Sequence, residues 1–399
     1  MKNKFSNIAL ALLICSGATA CRGAANAKPT LSAAVKVVPS STLPAKVVCQ
    51  QANNNLDIVK HNGRLFLAFR TAPSHFASEQ ATLYVMSTVD ELTWDFETKI
   101  TMDTDLREPR LLSWNGMLFL YFAILGKDAK KFEPQGMKYI KYNGPVNWTE
   151  PESFYPPESF NPKGFIPWRT KVINNFPYMI AYVGGESIYQ NDQQSLQIHW
   201  LTTGNGITWN AVVPDQAAVQ EGGGSETDFV FQDDGSLVAV IRNEAGDEMG
   251  WGSKICRAEP GSLGTWKCAA DPRKYDSPLL FRHGQGIYLI GRRNLTDNGY
   301  YDLGRRNLSP EEQSIQYEFD YWVHPKRCSL WRVWPDTLTV SFVLDLPSRG
   351  DTCYAGLVQL SDRDYLLYNY SSPLDGPDVN WQTGQWGPTN IYRLILSFP

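Results

Sequence analysis

Arginine recurs at fixed distances from a chain reversal in this sequence. Arg70 stands eight residues after Asn62, Arg242 eight after Asp234, and Arg292 at nearly that place in its own repeat. Arg110 and Arg169 stand five residues before Asn115 and Asn174, and Asp57 five before Asn62. Guanidiniums gathered at one height are costly unless an anion or carboxylate sits among them. The guanidinium fork matches a carboxylate through two parallel hydrogen bonds. The pattern points to a site that grips an anion. For any single arginine, an ion pair at the rim is the competing explanation.

The reversals belong to a phrase that returns six times: an apolar strand, a tight turn, and a second apolar strand. It reads LDIVKHNGRLFLAF from Leu56, PRLLSWNGMLFLYF from Pro109 and RTKVINNFPYMIAY from Arg169. It returns from Thr227, Ser277 and Tyr354. Asn-Gly and Asp-Gly between apolar runs mark hairpins. A third strand leads to turns ending in Trp94, Trp148, Trp209 and Trp266. Their spacing of roughly 50–60 residues is close to that of four-stranded propeller blades. The expected fold is all-β, a six-bladed β-propeller with blades starting near Leu56, Arg107, Trp168, Glu226, Asp276 and Tyr354. A five-bladed propeller with an added strand pair and a β-sandwich are the alternatives; the regular period speaks against the sandwich. The longest interval holds a polar, aromatic insert, 294–324, expected as a rim loop, and helical periodicity is nearly absent. Inner strands converge on a central channel, whose mouth is the expected ligand site.

The chain has 399 residues and a formal net charge of −4. No basic stripe stands out, so nucleic acid is not an expected partner. The 13 Trp and 19 Tyr suit sugar stacking, although strands favour these residues in any case. Lys2 and Lys4 precede an apolar run from Ile8 to Ile14, so residues 1–20 read as a signal peptide. Ala18-Thr19-Ala20-Cys21 resembles a bacterial lipobox, with Cys21 lipidated; plain cleavage after Ala20 is the alternative. Residues 21–45 are expected to form a flexible tether and 46–399 the propeller domain. No other apolar run is long enough to span a bilayer, so the lipid is the expected membrane link. The expected location is the bacterial cell envelope, at the outer membrane or surface, with secretion as the alternative. Export permits disulfides. Cys256 and Cys268 flank a hairpin turn and are the expected pair; among Cys49, Cys328 and Cys353 at least one stays free. No metal spacing stands out, and no cofactor is expected.

SETDFVFQDDGSLVAVIRNE, from Ser225, resembles the exo-sialidases and their six-bladed relatives. A Glu precedes a strand, an Asp-Gly turn follows, and an Arg closes the next strand. The resemblance implies Glu226 as the base that activates a tyrosine, and Arg242 as one of three arginines on a sialic acid carboxylate. CYAGLVQLSDRDYLLYNY, from Cys353, resembles the family's closing strand and implies Tyr354 as nucleophile. GRRNLT implies Arg292 or Arg293 as a second arginine, and Asp57 takes the place of the general acid. STVDELTW and TTGNGITW resemble Asp-boxes with Val89 and Gly204 where Asp is usual. The first strand departs from the family: LDIV replaces an Arg-Ile-Pro phrase, and Arg107-Glu108-Pro109 looks like a version one blade late. Either Arg110 or Arg169 substitutes, or the substrate has no carboxylate.

A neutral tyrosine avoids the repulsion a carboxylate nucleophile would feel from an anionic sugar. A separate acid must protonate the leaving oxygen. The expected function is an exported retaining exo-glycosidase of sialidase type, with a carbohydrate or glycoconjugate as partner. Tyr354, Glu226 and Asp57 would be catalytic; Arg70, Arg110, Arg169, Arg242, Arg292 and Glu108 would bind substrate. Two other functions compete. DLREPRLL resembles a region of five-bladed glycosidases, which implies Asp57 as base or nucleophile, Glu226 as acid and Glu108 as orienting group. A non-catalytic glycan-binding surface lipoprotein is the third, because propellers often serve as binding platforms.

Overall fold

The computed structural model describes residues 28–129, 131–154, 164–184, 196–216 and 218–399. Six antiparallel sheets follow one another along the chain, each built mainly from consecutive strands. Blade 1 comprises Ala52–His61, Arg64–Ala72, Thr82–Thr88 and Asp95–Ile100. The inner strands of blades 2 to 6 are Asp105–Trp114, Ile166–Ile173, Gly224–Phe231, Leu279–His283 and Gly356–Gln359. Inner strands of neighbouring blades lie side by side around the channel. The fold is the expected six-bladed β-propeller.

The hairpins follow from local chemistry. Asn62 and Gly63 both have positive φ, as do Asn115 with Gly116 and Asn174 with Asn175. Two-residue turns of this hand match the twist of the strands they join, and Asn and Gly tolerate them best. The tryptophan turns close through a side chain one residue later than the usual aspartate. Asp90 Oδ1 accepts from the N–H groups of Leu92 and Thr93, and Asn205 Oδ1 from those of Ile207 and Thr208. Trp94 and Trp209 are buried, packing edge-on against Tyr368 and Tyr121. Between blades the apolar faces interleave: Phe66, Leu83 and Val85 of blade 1 meet Leu111, Leu118 and Phe122 of blade 2. Each such side chain contributes about 1.5–3 kcal/mol by leaving water.

The ring closes on itself. Thr30–Leu31 and Val35–Val38 pair with Asn390–Ser397 in blade 6. Part of the segment expected as a tether is therefore strand, with Val37 and Val38 buried. The VKVV run carried that signal, but Ala- and Ser-rich flanks masked it. The expected signal peptide and Cys21 lie outside the described residues.

The insert of blade 5 is not only a loop. Pro310–Val323 forms a helix, α1, started by Ser309, whose side chain accepts from the Glu312 N–H while Glu312 bonds back to Ser309. This capping box, with Pro310 at the first helical turn, is a recognised helix start. A short helix α2, Trp381–Trp386, lies against α1. Cys256 and Cys268 are bonded, as expected, and Cys328 is bonded to Cys353; Cys49 is free.

Candidate active site

Four inner strands each carry one extra residue near their starts. The register slips between Asn54 and Leu56, Arg107 and Arg110, Pro167 and Arg169, and Gly224 and Thr227. A bulge leaves residues unpaired and re-aims their side chains. The residues so freed are Asn55, Glu108, Trp168 and Glu226. Asn55 and Glu108 take φ of 40° and 50°, a strained choice for residues with a Cβ. All four stand at the end of the channel where the inner strands begin, with Tyr354 just ahead of the blade 6 strand.

The hydroxyl of Tyr354 donates to Glu108 Oε2. Asn55 Nδ2 donates to the other oxygen at 3.3 Å. The Tyr354 ring is buried, with Arg110 stacked 4.4 Å from its centroid and Trp168 packed edge-on at 5.4 Å. Arg110 also lies 4.7 Å from the Trp168 ring and 3.8 Å from Glu108. Its three guanidinium nitrogens are buried and make no hydrogen bond among the described residues. Burial pushes the Tyr354 hydroxyl well above its ordinary range; Arg110 pulls it down, and Glu108 pushes it up again. A carboxylate on a phenol, over a desolvated cation, can take the phenol proton and stabilise the oxyanion that forms.

Glu226 does not bond Tyr354. Its Oε1 accepts from Arg242, and its Oε2 accepts from the Ser277 N–H at 2.6 Å. Arg242 also pairs with Glu244 at 2.5 Å and Asp276 at 3.1 Å. Asp276 in turn holds Arg292 at 2.8 Å and the Tyr321 hydroxyl of α1 at 2.8 Å. Lys274 bridges Glu244 and Glu318 of α1. Burial raises Glu226 to about 7; Arg242 opposes this, while Asp276 and Glu108 add to it. Asp276 is held at about 2, because Arg242, Lys274, Arg292 and Tyr321 together outweigh its burial.

The remaining expected residues divide by place. Arg70 is fully buried; it binds Asp105 through two nitrogens and the carbonyls of Ser74 and Phe76, so it ties blade 1 to blade 2. Arg292 likewise bonds the Thr352 carbonyl of blade 6 at 2.6 Å, and Arg293 pairs with Asp345 of its own blade. These arginines find their carboxylates within the chain, which corrects the expectation that the whole set waits for a substrate anion. Asp57 is also corrected. It is buried, and its two oxygens accept the N–H groups of Ile58 and of Leu111 in blade 2. Asp228 repeats this clamp on Leu280 of blade 5. Such a carboxylate fastens blades, and it borders a cavity that Tyr354 does not line. Arg169 bonds the Pro278 carbonyl at 3.0 Å and pairs with Asp228 at 3.7 Å. Asp57 and Arg169 border a cavity of about 840 Å³ that extends toward the opposite end, lined by Ser113, Asn174, Gln232 and Gln359. Tyr354, Glu108 and Glu226 do not line that cavity.

Sequence reasoning named Glu108 but as a substrate-binding residue, whereas it partners the tyrosine; other site residues it missed. The signal for Glu108 was its offset: Asn55 and Glu108 each stand seven residues before the turn asparagine. Tyr182, whose buried hydroxyl is pushed well up and feels both Glu108 and Glu226, had no signal beyond a strand position. Glu244 lies two residues after Arg242 and Asp276 at a blade start, yet neither type nor spacing marked them.

Comparison with known proteins supports the architecture. No family model and no curated protein match the chain. A protein of unknown function from Dyadobacter fermentans superposes with a TM-score of 0.62 at 15% identity, over 93% of this chain and all of that one. Trypanosoma rangeli sialidase in complex with sialic acid gives 0.57 at 13% identity, over 86% of this chain. The match spans 54% of the sialidase, about half its length. Phage phi92 endosialidase gives 0.55 at 10% identity, over 88% of this chain and 68% of that one. These likenesses establish a sialidase-like propeller fold.

Proposed function

We propose that the protein is a retaining exo-glycosidase of sialidase type, with Tyr354 as nucleophile and Glu108 as its base. The observation that carries this reading is the Tyr354–Glu108 hydrogen bond beside the unbonded Arg110, at the start of the channel. Tyr354 Oη attacks the anomeric carbon and passes its proton to Glu108. Arg110 offsets the negative charge on that oxygen through the ring face. The substrate class is an anionic sugar, for which a phenol is the nucleophile that does not repel. Arg242, held by Glu226, Glu244 and Asp276, keeps 15% of its side chain exposed. Glu226 holds Arg242 in place and leaves proton transfer to Glu108. Export and a lipid anchor at Cys21 complete the reading, which rests there on the N-terminal sequence alone.

The test is a panel of 4-methylumbelliferyl glycosides, sialosides and neutral sugars together, with wild type and Tyr354→Phe. Turnover of a sialoside that drops at least ~10³-fold in the variant supports the proposal. Binding without turnover in both proteins marks a glycan-binding module instead.

A further inference from the structure

Correcting Asp57 leaves the leaving-group oxygen without a proton donor. His75 lies in the connection after the second strand of blade 1, beside the same end of the channel. Its Nδ1 is 2.7 Å from Asp351 Oδ2, three residues before Tyr354. The other Asp351 oxygen accepts from the Tyr370 hydroxyl at 2.9 Å and from Trp381 Nε1 at 3.2 Å. Asp351 is fully buried; its burial is outweighed by His75, Arg292 and Tyr370, which hold the carboxyl below its usual range. The backbone of His75 is fixed as well. Its N–H donates to the Gln385 carbonyl at 3.1 Å, and its carbonyl accepts from Arg107, the neighbour of Glu108. Nε2 is the one polar atom of His75 without a partner among the described residues, and 19% of the side chain is exposed. Next to it Phe76 packs 4.3 Å from Trp386, which is 58% exposed.

An imidazole oriented through one nitrogen by a buried carboxylate presents the other nitrogen for proton transfer. We infer that His75 is the general acid and base of the proposed reaction, positioned by Asp351, with Trp386 and Phe76 as the platform for the departing sugar. The inference rests on the glycosidase reading of this site. In the first step His75, protonated on both ring nitrogens, gives its Nε2 proton to the glycosidic oxygen as the bond from that oxygen to the anomeric carbon breaks. Tyr354 Oη bonds that carbon, and its proton moves to Glu108. In the second step water attacks the carbon and gives its proton to His75. The Tyr354–carbon bond breaks, and the phenolate recovers its proton from Glu108.

His75→Gln separates proton transfer from loop pinning, because the amide can still donate to Asp351. The measurement is kcat/KM on a 4-nitrophenyl glycoside, whose leaving group needs no proton, and on a disaccharide of the same sugar, whose leaving group does. The expected result is a loss of ~10²–10⁴-fold on the disaccharide and less than about tenfold on the nitrophenyl substrate. Asp351→Asn should show the same asymmetry, more weakly. Equal losses on both substrates, or full activity in the glutamine variant, overturn the inference. Turnover abolished by His75→Gln on the disaccharide but unaffected by Tyr354→Phe would keep the acid and remove the nucleophile. If wild type cleaves neither substrate, the glycosidase reading falls and the acid role falls with it.

Discussion

At the scale of residues, the site is a set of charges that neutralise one another. Glu108 and Glu226 have the same side chain and stand at the same end of the channel, yet they have different partners. Glu108 touches the phenol; Glu226 is locked between Arg242 and a backbone N–H. Glu108→Gln should lower kcat/KM by ~10²–10⁴-fold, as loss of a general base does. The buried network also sets how stability depends on pH. Asp276 moves from its ordinary 3.8 to about 2, so its contribution is full above pH 4 and is lost as the pH falls to 2. That contribution is on the order of 2 kcal/mol. Glu226 has the opposite sign: it is raised from 4.5 to about 7, so stability declines as the pH rises between those values. Urea titrations across this range should show a rise that Asp276→Asn removes and a fall that Glu226→Gln removes. Arg242 was legible in the sequence from its offset to a turn, and Tyr354 and Glu226 from the family resemblance of the segments that carry them. Their pairing was not, because a hydrogen bond between Tyr354 and Glu108 spans 246 residues and leaves no local trace.

At the scale of elements, bulges decide which side chains face the channel. A two-residue strand period assigns Asp57 and Arg110 to the channel, but the period changes at Asn55 and Glu108. The turns were legible because Asn-Gly has one good use. The bulges were not, since no residue type marks them here except Asn55, which tolerates positive φ. Helix α1 was legible in principle: Ser309, Pro310 and Glu312 write a helix start, overlooked because the surrounding repeats are all strand. The Cys328–Cys353 bond ties the third strand of blade 5 to the residue before Tyr354. Replacing both cysteines by serine should cost about 3 kcal/mol, by loop entropy, and lower activity as well. The Cys256–Cys268 pair closes a hairpin away from Tyr354, so its removal should lower stability and leave kcat unchanged. Melting curves and sialoside kinetics on both double variants check this.

At the scale of the whole molecule, six sheets need a latch. Thr30–Leu31 and Val35–Val38 supply it by joining the last blade. Deleting residues 28–38 should cost about 3–6 kcal/mol from the two buried valines alone, and should open blade 6 to proteolysis. The repeat period made the propeller readable, since six equivalent phrases have few other ways to bury their faces. The closure was less readable, because it pairs residues 30–38 with a strand at 390–397. The ring gathers Glu108, Trp168, Glu226 and Tyr354 from blades 2, 3, 4 and 6 at one end. In the proposed reaction Tyr354 becomes covalently bonded to the substrate's anomeric carbon. A sialosyl fluoride carrying fluorine next to that carbon slows the breakdown of such a bond more than its formation. Peptide mass spectrometry after this reagent should place one sugar on Tyr354, with none in Tyr354→Phe. A sugar on Glu108 or Glu226, or none while the reagent is still turned over, would contradict the account.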